Sequence, residues 1–196
     1  TGAVAGLIER SLLLRTEGSP ASGALYHLLE TVRAYAQGEL MASGERDLAM
    51  DALARYCVAT AATAEERLIG LTQAEWLDRV RDDLETFRSG LSWLIEHDRV
   101  SEACVIVWQL LFFWLIRGHA AEAVQWFDRV LTIPSLTPAG RAKALAGSGV
   151  LLYTLGDLAR ARAVIDQALT LGKHTDDRGI VALAQTLLGH LDHLSG

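Results

Sequence analysis

Proline is scarce in this sequence, and its placement leaves most of the chain free to form helices. The three prolines are Pro20, Pro134 and Pro138. Proline breaks helices because it lacks a backbone N–H and its ring clashes with the preceding turn. Alanine and leucine, which dominate the composition, favour helices. We therefore predict that nearly everything after Leu29 is helical.

Apolar residues recur at helical spacing in the middle of the chain. Intervals of three and four separate Trp76, Val80, Leu84, Phe87, Leu91 and Leu94. These intervals place them on one face of a helix, or of two helices with a kink near Asp82 and Asp83. In residues 100–116 the apolar residues surround the helix instead, which predicts one buried helix at the centre of the fold. That stretch is shorter than the ~20 residues that span a bilayer, so we expect no membrane contact.

The beginning of the chain departs from the helical pattern. Residues 3–11 are predicted to form a short helix, residues 12–15 and 25–29 two strands, and residues 17–23 the polar turn between the strands. Helix, strand, loop, strand is the order of the second half of a winged-helix domain. Three glutamates outweigh two arginines in this segment, whereas a phosphate-binding surface needs positive charge. We expect no direct nucleic-acid binding by this fragment.

The overall composition narrows the class of protein. The chain has 196 residues, 51% of them hydrophobic, and a net charge of −6 from 24 acidic and 18 basic side chains. This describes a globular protein rather than a disordered one. Cys57 and Cys104 stand in apolar stretches without paired spacing and are interpreted as buried apolar residues. Because the chain begins with Thr1 and shows no signal-peptide pattern, we expect a cytoplasmic piece of a longer protein.

The second half of the chain contains internal repeats. Residues 117–123 align with residues 155–161, and Gly149 aligns with Gly189. Periods of this length are typical of stacked helical hairpins. We predict that Gly156 ends the first helix of a pair and that Asp157 caps the start of the second. The spacing of small residues around Gly149 and Gly156 resembles the tetratricopeptide pattern, although the period is longer.

Short segments spread along nearly the whole chain resemble one family. They are residues 7–13, 26–36, 75–77, 84–85, 88–93, 113–114 and 117–119. Together they are similar to bacterial STAND-class ATPase transcriptional regulators of the AfsR and LuxR-like type. The chain departs from the family pattern at Thr86 and Phe87. In the family a polar residue precedes the arginine that corresponds to Arg88.

The resemblance implies a domain organisation and a mechanism. In that family a P-loop ATPase module precedes a winged helix, nucleotide exchange switches the molecule, and C-terminal helical repeats sense an inducer or partner. By this resemblance, residues 1–31 end the winged-helix domain, residues 32–98 link it, and residues 99–196 form tetratricopeptide-like repeats. The chain has no Gly-x-x-x-x-Gly-Lys-Ser/Thr. We therefore expect no cofactor and no enzyme activity in this fragment, and ATP or ADP in the upstream module of the parent.

The repeats also predict a binding surface. In tetratricopeptide-like stacks the first helix of each pair lines an inner groove. The residues predicted to line the groove are Trp108, Phe112, Lys143, Tyr153, Thr186 and His190. A protein partner or a small-molecule inducer is expected to bind there. The alternative is that upstream helices fill the groove.

Other arrangements in the sequence offer little chemistry. His190 and His193 have metal-ligand spacing but lack a third ligand, so no metal site is predicted. The adjacent carboxylates Glu65-Glu66 and Asp82-Asp83 cannot face one substrate atom together, and we interpret them as solvated faces or helix starts. No catalytic residue is predicted.

These observations predict an all-α protein in which a partial winged helix with a β-hairpin precedes a tetratricopeptide-like superhelix. The predicted function is that of a regulatory sensor and protein-interaction region in a signal-responsive transcriptional regulator. Two alternatives remain open. One is a helical-repeat scaffold without a nucleotide switch, and the other is the sensor arm of a nucleotide cyclase or kinase.

Overall fold

In a computed structural model that describes residues 2–18 and 22–195, the chain forms eleven helices and one two-stranded sheet. The elements are α1 (Gly2–Glu9), β1 (Leu13–Glu17), β2 (Ala24–Leu28), α2 (Glu30–Ala42), α3 (Arg46–Arg67), α4 (Gln73–Asp82), α5 (Leu84–Glu96), α6 (Val100–Gln109), α7 (Leu111–Ile116), α8 (Ala120–Leu131), α9 (Pro138–Thr154), α10 (Leu158–His174) and α11 (Arg178–Ser195). The predicted all-α fold with an N-terminal β-hairpin is confirmed.

The N-terminal hairpin has the predicted order of elements. Strands β1 and β2 are antiparallel, with Leu13 opposite Leu28 and Glu17 opposite Ala24. The amide of Gly18 donates to the carbonyl oxygen of Gly23 at 2.9 Å and closes the turn, of which residues 19–21 lie outside the described residues. No residue between 4 and 49 whose exposure is described is buried. This segment therefore adds nothing to the hydrophobic core.

The core begins in α3 and continues through α4 and α5. The predicted apolar stripe is confirmed, since Trp76 is half-buried and packs against the core and the other five members are buried: Val80, Leu84, Phe87, Leu91 and Leu94. The predicted kink is confirmed as well, because α4 ends at residue 82 and α5 begins at residue 84. The missing side chain at Gly90 lets α3 approach α5 closely. A Cβ there would lie 2.7 Å from the Cys57 sulfur.

The two aspartates at the kink do not form a solvated face, whereas the alternative interpretation as a helix start holds for Asp83, the residue that precedes α5. The side chains of Asp82 and Asp83 are only 10% and 14% exposed. Asp83 accepts hydrogen bonds from the Tyr56 hydroxyl at 2.6 Å and from Arg79 Nε at 3.2 Å. Asp82 accepts one from Ser22 Oγ at 2.8 Å. The kink turns one carboxylate toward α3 and the other toward the hairpin, so neither faces open water.

The apolar stretch at residues 100–116 forms two helices, so the prediction of a single helix was wrong. Leu110 separates α6 from α7, with φ −90° and ψ 12°. At this break the indole Nε1 of Trp114 donates to the carbonyl oxygen of Val107 at 3.1 Å. A buried carbonyl needs such a donor, and the indole supplies it from within the stretch. The predicted central position holds, because α6 contacts α3, α5, α8 and α9.

The repeats form a run of packed helices from α8 to α11. Each of these helices contacts the next, and α9 also contacts α6, α7 and α11. Gly118 and Gly156, aligned by the repeat, both have positive φ, at +76° and +79°. Asp157 caps α10 by accepting a hydrogen bond from the amide of Arg160 at 3.2 Å. The predicted helix end and cap are confirmed, whereas the tetratricopeptide character of the repeats stays a prediction.

Helix α9 lies at the centre of this run and is mostly buried, with nine of its 17 residues in the interior. Its small residues allow neighbours to pack closely on two sides. A Cβ at Gly147 would lie 2.6 Å from Cζ of Phe127 in α8. A Cβ at Gly149 would clash with Ile165 in α10, which is itself fully buried. At Gly189, the repeat partner of Gly149, no described atom lies within 4 Å of such a Cβ.

The contrast between Gly149 and Gly189 gives a matched pair of substitutions. Gly189→Ala should stabilise the chain by about 0.5–1 kcal/mol, because alanine favours a helix interior and meets open space. Gly149→Ala should instead lower the free energy of unfolding by about 1–2 kcal/mol, because the methyl group displaces buried Ile165. Urea denaturation followed by circular dichroism measures both. Equal stabilisation by both substitutions would show that α9 and α10 are not packed as described.

Candidate functional site

The predicted groove residues lie on helices that are neighbours in the structure. Trp108 belongs to α6, Phe112 to α7, Lys143 and Tyr153 to α9, and Thr186 and His190 to α11. Helix α9 contacts α6, α7 and α11, so it stands between the other three. We call the surface carried by these six residues the inner surface.

The first pair on the inner surface joins α6 to α9. The Lys143 ammonium lies 5.4 Å from the centroid of the Trp108 ring. An ammonium over an indole face is attracted by the negative potential of the ring. Trp108 is half-buried and packs against a small core cluster that includes Ala142 and Ile180. The core cluster therefore holds one part of the indole, while Lys143 over the ring stays half-exposed to solvent.

A cavity of about 200 Å³ adjoins this first pair. It is lined by Lys143 together with Ser101, Cys104, Thr137 and Asp177, among others. The lysine thus stands between an aromatic ring and a cavity that also contains a carboxylate. This end of the inner surface combines apolar, positive and negative groups.

The second pair joins α9 to α11. The rings of Tyr153 and His190 are stacked, with centroids 6.4 Å apart and planes inclined by 30°. Lys143 and Tyr153 are ten positions apart on α9, which corresponds to roughly 15 Å along a helix. Among the described residues, no hydrogen bond or ring contact joins the two pairs. They form two separate anchor points on one helix.

Phe112 and Thr186 complete the predicted set, and within the described residues no ring contact or side-chain hydrogen bond joins either of them to the two pairs. The Phe112 side chain is 43% exposed, which is unusual for so large an apolar group. The Thr186 hydroxyl donates to the carbonyl oxygen of Ala182 at 2.9 Å within its own helix. Phe112 is therefore free to contact a ligand through its ring, and Thr186 chiefly through its methyl group.

An unexpected polar pair lies beside the first anchor point. Gln109 Nε2 donates to Glu65 Oε2 at 3.0 Å, and Oε1 of Gln109 is buried with no hydrogen-bond partner in the described part of the chain. Glu65 is half-buried while Glu66 is exposed. The interpretation of both glutamates as a solvated face was wrong for Glu65, because α3 turns that side chain toward the end of α6.

Sequence patterns also missed the contact that ties the linking region to the repeats. Arg88 of α5 holds Glu122 of α8 through two hydrogen bonds, Nε to Oε1 at 2.7 Å and Nη2 to Oε2 at 2.6 Å. The Arg88 guanidinium is the main cause of a lowered pKa at the Glu122 carboxylate, and the Trp126 indole adds to it. The two residues are 34 positions apart, so no local spacing rule detects them.

Both cysteines are buried, as predicted. Burial raises the pKa of Cys104 to about 11. Burial, together with the Asp83 carboxylate, raises the pKa of Cys57 to about 12. The thiolate is the reactive form, and at pH 8 almost none of it is present. Neither thiol has the properties of a nucleophile.

Thiol labelling tests this burial. At pH 8 the folded chain should release almost no thionitrobenzoate from Ellman's reagent, while the chain unfolded in guanidinium should release two equivalents, one for each cysteine. Ala159→Cys places a thiol at an exposed position at the start of α10 and should add one fast equivalent to the folded chain. Fast release from the unmodified folded chain would contradict the packing of α3 and α6.

Within residues 2–18 and 22–195, no helix is both long and apolar enough to cross a membrane. Across the same ranges, no three His, Cys, Asp or Glu side chains are grouped as metal ligands. The inner surface presents aromatic rings, a lysine and a histidine.

Comparison with known proteins shows that the chain is distantly similar to three curated proteins. Over 93% of its length the chain is 27% identical to proteins of Mycobacterium bovis and of two strains of Mycobacterium tuberculosis that carry the name HTH-type transcriptional regulator. The chain spans about a fifth of the length of these curated relatives, 21%. No family model matches the chain, and no solved structure matches it. The chain is thus a distant relative of HTH-type transcriptional regulators.

Proposed function

We propose that this chain is the regulatory sensor and protein-interaction region of a signal-responsive transcriptional regulator. The observation that carries the proposal is the similarity to HTH-type transcriptional regulators along 93% of the chain. That similarity covers nearly the whole chain, so it is not limited to one short motif. A regulatory role follows from the relatives, and the sensing role is our own inference from the inner surface.

The inner surface is the proposed binding site for a protein partner or a small-molecule inducer. Two anchor points, Trp108 with Lys143 and Tyr153 with His190, stand roughly 15 Å apart along α9. An extended segment of about five residues covers that distance. Aromatic rings supply large contact area at little entropic cost, which is why they dominate binding hot spots. A short peptide segment with apolar side chains and one acidic group fits both anchor points.

The proposed mechanism is a switch in which an upstream ATPase module is held inactive until the inner surface is occupied. A ligand shifts such an equilibrium only by binding the two states with different affinity. The Arg88–Glu122 pair links α5 to α8, and one core cluster runs from Ala54 to Leu191. A change in helix packing within the repeats would therefore reach the linking region through continuous contacts.

Substitutions on the inner surface test the proposal in the organism that carries the gene. Phe112→Ala and Lys143→Ala are placed in the chromosomal gene, and transcripts are compared with those of the unmodified strain and of a deletion strain. Both variants should shift the transcriptional response toward that of the deletion strain. Loss of one such side chain from a binding surface costs about 2 kcal/mol of binding, or roughly 30-fold in affinity.

Matched controls separate the inner surface from the rest of the chain. Leu155→Ala removes another half-exposed apolar side chain, directly after α9, and Lys173→Ala removes an exposed lysine near the end of α10. Both should behave like the unmodified protein. If the deletion leaves all transcripts unchanged, the regulatory role is wrong. If the deletion matters but Phe112→Ala and Lys143→Ala have no effect, the role stands and the inner surface is not the sensor.

A further inference from the structure

A pocket lies outside the inner surface, between α2, α3 and α5. It has a volume of about 390 Å³, within the range of roughly 300–1,000 Å³ that small-molecule sites occupy. Each helix contributes residues at helical spacing: Gln37, Leu40 and Met41 from α2, Arg46 and Met50 from α3, and Ser89, Ser92, Trp93 and Glu96 from α5. Residues of three helices therefore line one space, beside the contacts by which α3 packs against α5 and α2 against α3.

Helix α2 forms the outer wall of this pocket and is weakly held. None of its residues is buried, and Tyr35 and Met41 are 70% and 66% exposed. The pocket occupies the position where α2 would otherwise meet α5. A molecule in the pocket would supply the contacts that α2 lacks.

The floor of the pocket is formed by Trp93, which several side chains contact. Trp93 is 3% exposed and lies against His97, with ring centroids 3.4 Å apart and planes inclined by 31°. Its indole Nε1 donates to Asp51 Oδ1 at 3.5 Å, and Arg99 Nη1 donates to the same oxygen at 2.8 Å. Asp51 and His97 thus hold the ring in place. The pocket is also lined by Met41 of α2 and Met50 of α3, whose flexible side chains adapt to varied apolar shapes.

Two opposite charges line the pocket without forming an ion pair. The Arg46 guanidinium lies 5.2 Å from the centroid of the Trp93 ring. Within the described ranges neither Arg46 nor Glu96 takes part in an ion pair, and both are exposed. Arginine pairs well with a carboxylate, and a glutamate pairs with an ammonium. A simple anion would be repelled by Glu96 and a simple cation by Arg46, so a ligand that carries both charges fits best.

We propose that this pocket binds a small zwitterion with an apolar body, the chemistry shared by apolar amino acids and short apolar peptides. The carboxylate would pair with Arg46, the ammonium with Glu96, and the apolar part would lie against Leu40, Met41 and Met50. Bound in this way, the ligand bridges α2 to α5. The site is separate from the inner surface, so its test does not depend on the proposed function.

Calorimetry on the purified 196-residue chain tests the proposal. The probes are L-leucine, L-phenylalanine and the dipeptide Leu-Leu, each compared with its N-acetyl and amide derivatives, which lack one of the two charges. We expect saturable binding of at least one zwitterionic probe below about 10 mM. Its two derivatives should bind about tenfold more weakly or worse, the usual effect of losing a charged hydrogen bond. Amino acid and dipeptide are told apart by which probe binds more tightly.

Matched variants locate the binding. Arg46→Gln and Glu96→Gln should each weaken the best probe about tenfold or more. Arg55→Gln and Glu66→Gln, which change exposed charges on α3 away from the pocket, should leave binding unchanged. Hydrogen exchange should also slow in the α2 amides when the probe is bound. The proposal is overturned if no zwitterion binds up to about 10 mM, or if Arg46→Gln binds as tightly as the unmodified chain. Circular dichroism confirms that each variant folds.

Discussion

The absence of side chains at Gly147 and Gly149 allows α9 to occupy the centre of the helical run. Phe127 of α8 fills the space beside one glycine, and Ile165 of α10 fills the space beside the other. A larger residue at either position would push a neighbouring helix away, because interiors packed at crystal-like density yield only by moving whole side chains. The close packing of α8 and α10 against α9 thus depends on glycine at these two positions, because any other residue would place a Cβ in the space that Phe127 or Ile165 occupies.

The candidate site follows from this packing. Helices α8 and α10 pack against two sides of α9. Residues on the other sides of α9 contact α6 and α11. Lys143 then reaches Trp108, and Tyr153 reaches His190. The spacing of the two anchor points is a property of one rigid helix, so it does not depend on loop conformation. A surface built on helices holds its geometry better than one built on loops.

The sequence predicted those features that depend on local chemistry. The stripe from Val80 to Leu94 and the cap at Asp157 obey short-range spacing rules, and the structure shows them as expected. The features that were missed depend on residues distant in sequence. The break at Leu110 lies within an apolar stretch and involves neither proline nor glycine, so neither periodicity nor a breaker residue reveals it. The Arg88–Glu122 pair and the burial of Asp83 against Tyr56 arise only when separate helices meet.

In the candidate site, too, some features follow from local sequence and others from residues that are distant in sequence. All six predicted inner-surface residues lie on adjacent helices, because the repeat fixes which positions of a helical pair share a face. The sequence did not indicate which of them contact each other. The pocket between α2, α3 and α5 was not foreseen at all, since it exists only as a gap between three helix faces. The division of the chain at residues 31 and 98 stays a prediction.

Reading the coding sequence on both sides of these 196 codons tests the central claim most directly. If the chain is the sensor region of a switched transcriptional regulator, the same reading frame contains Gly-x-x-x-x-Gly-Lys-Ser/Thr after a strand upstream of residue 1, and a helix-turn-helix segment for DNA binding. A complete reading frame that encodes neither would contradict the account.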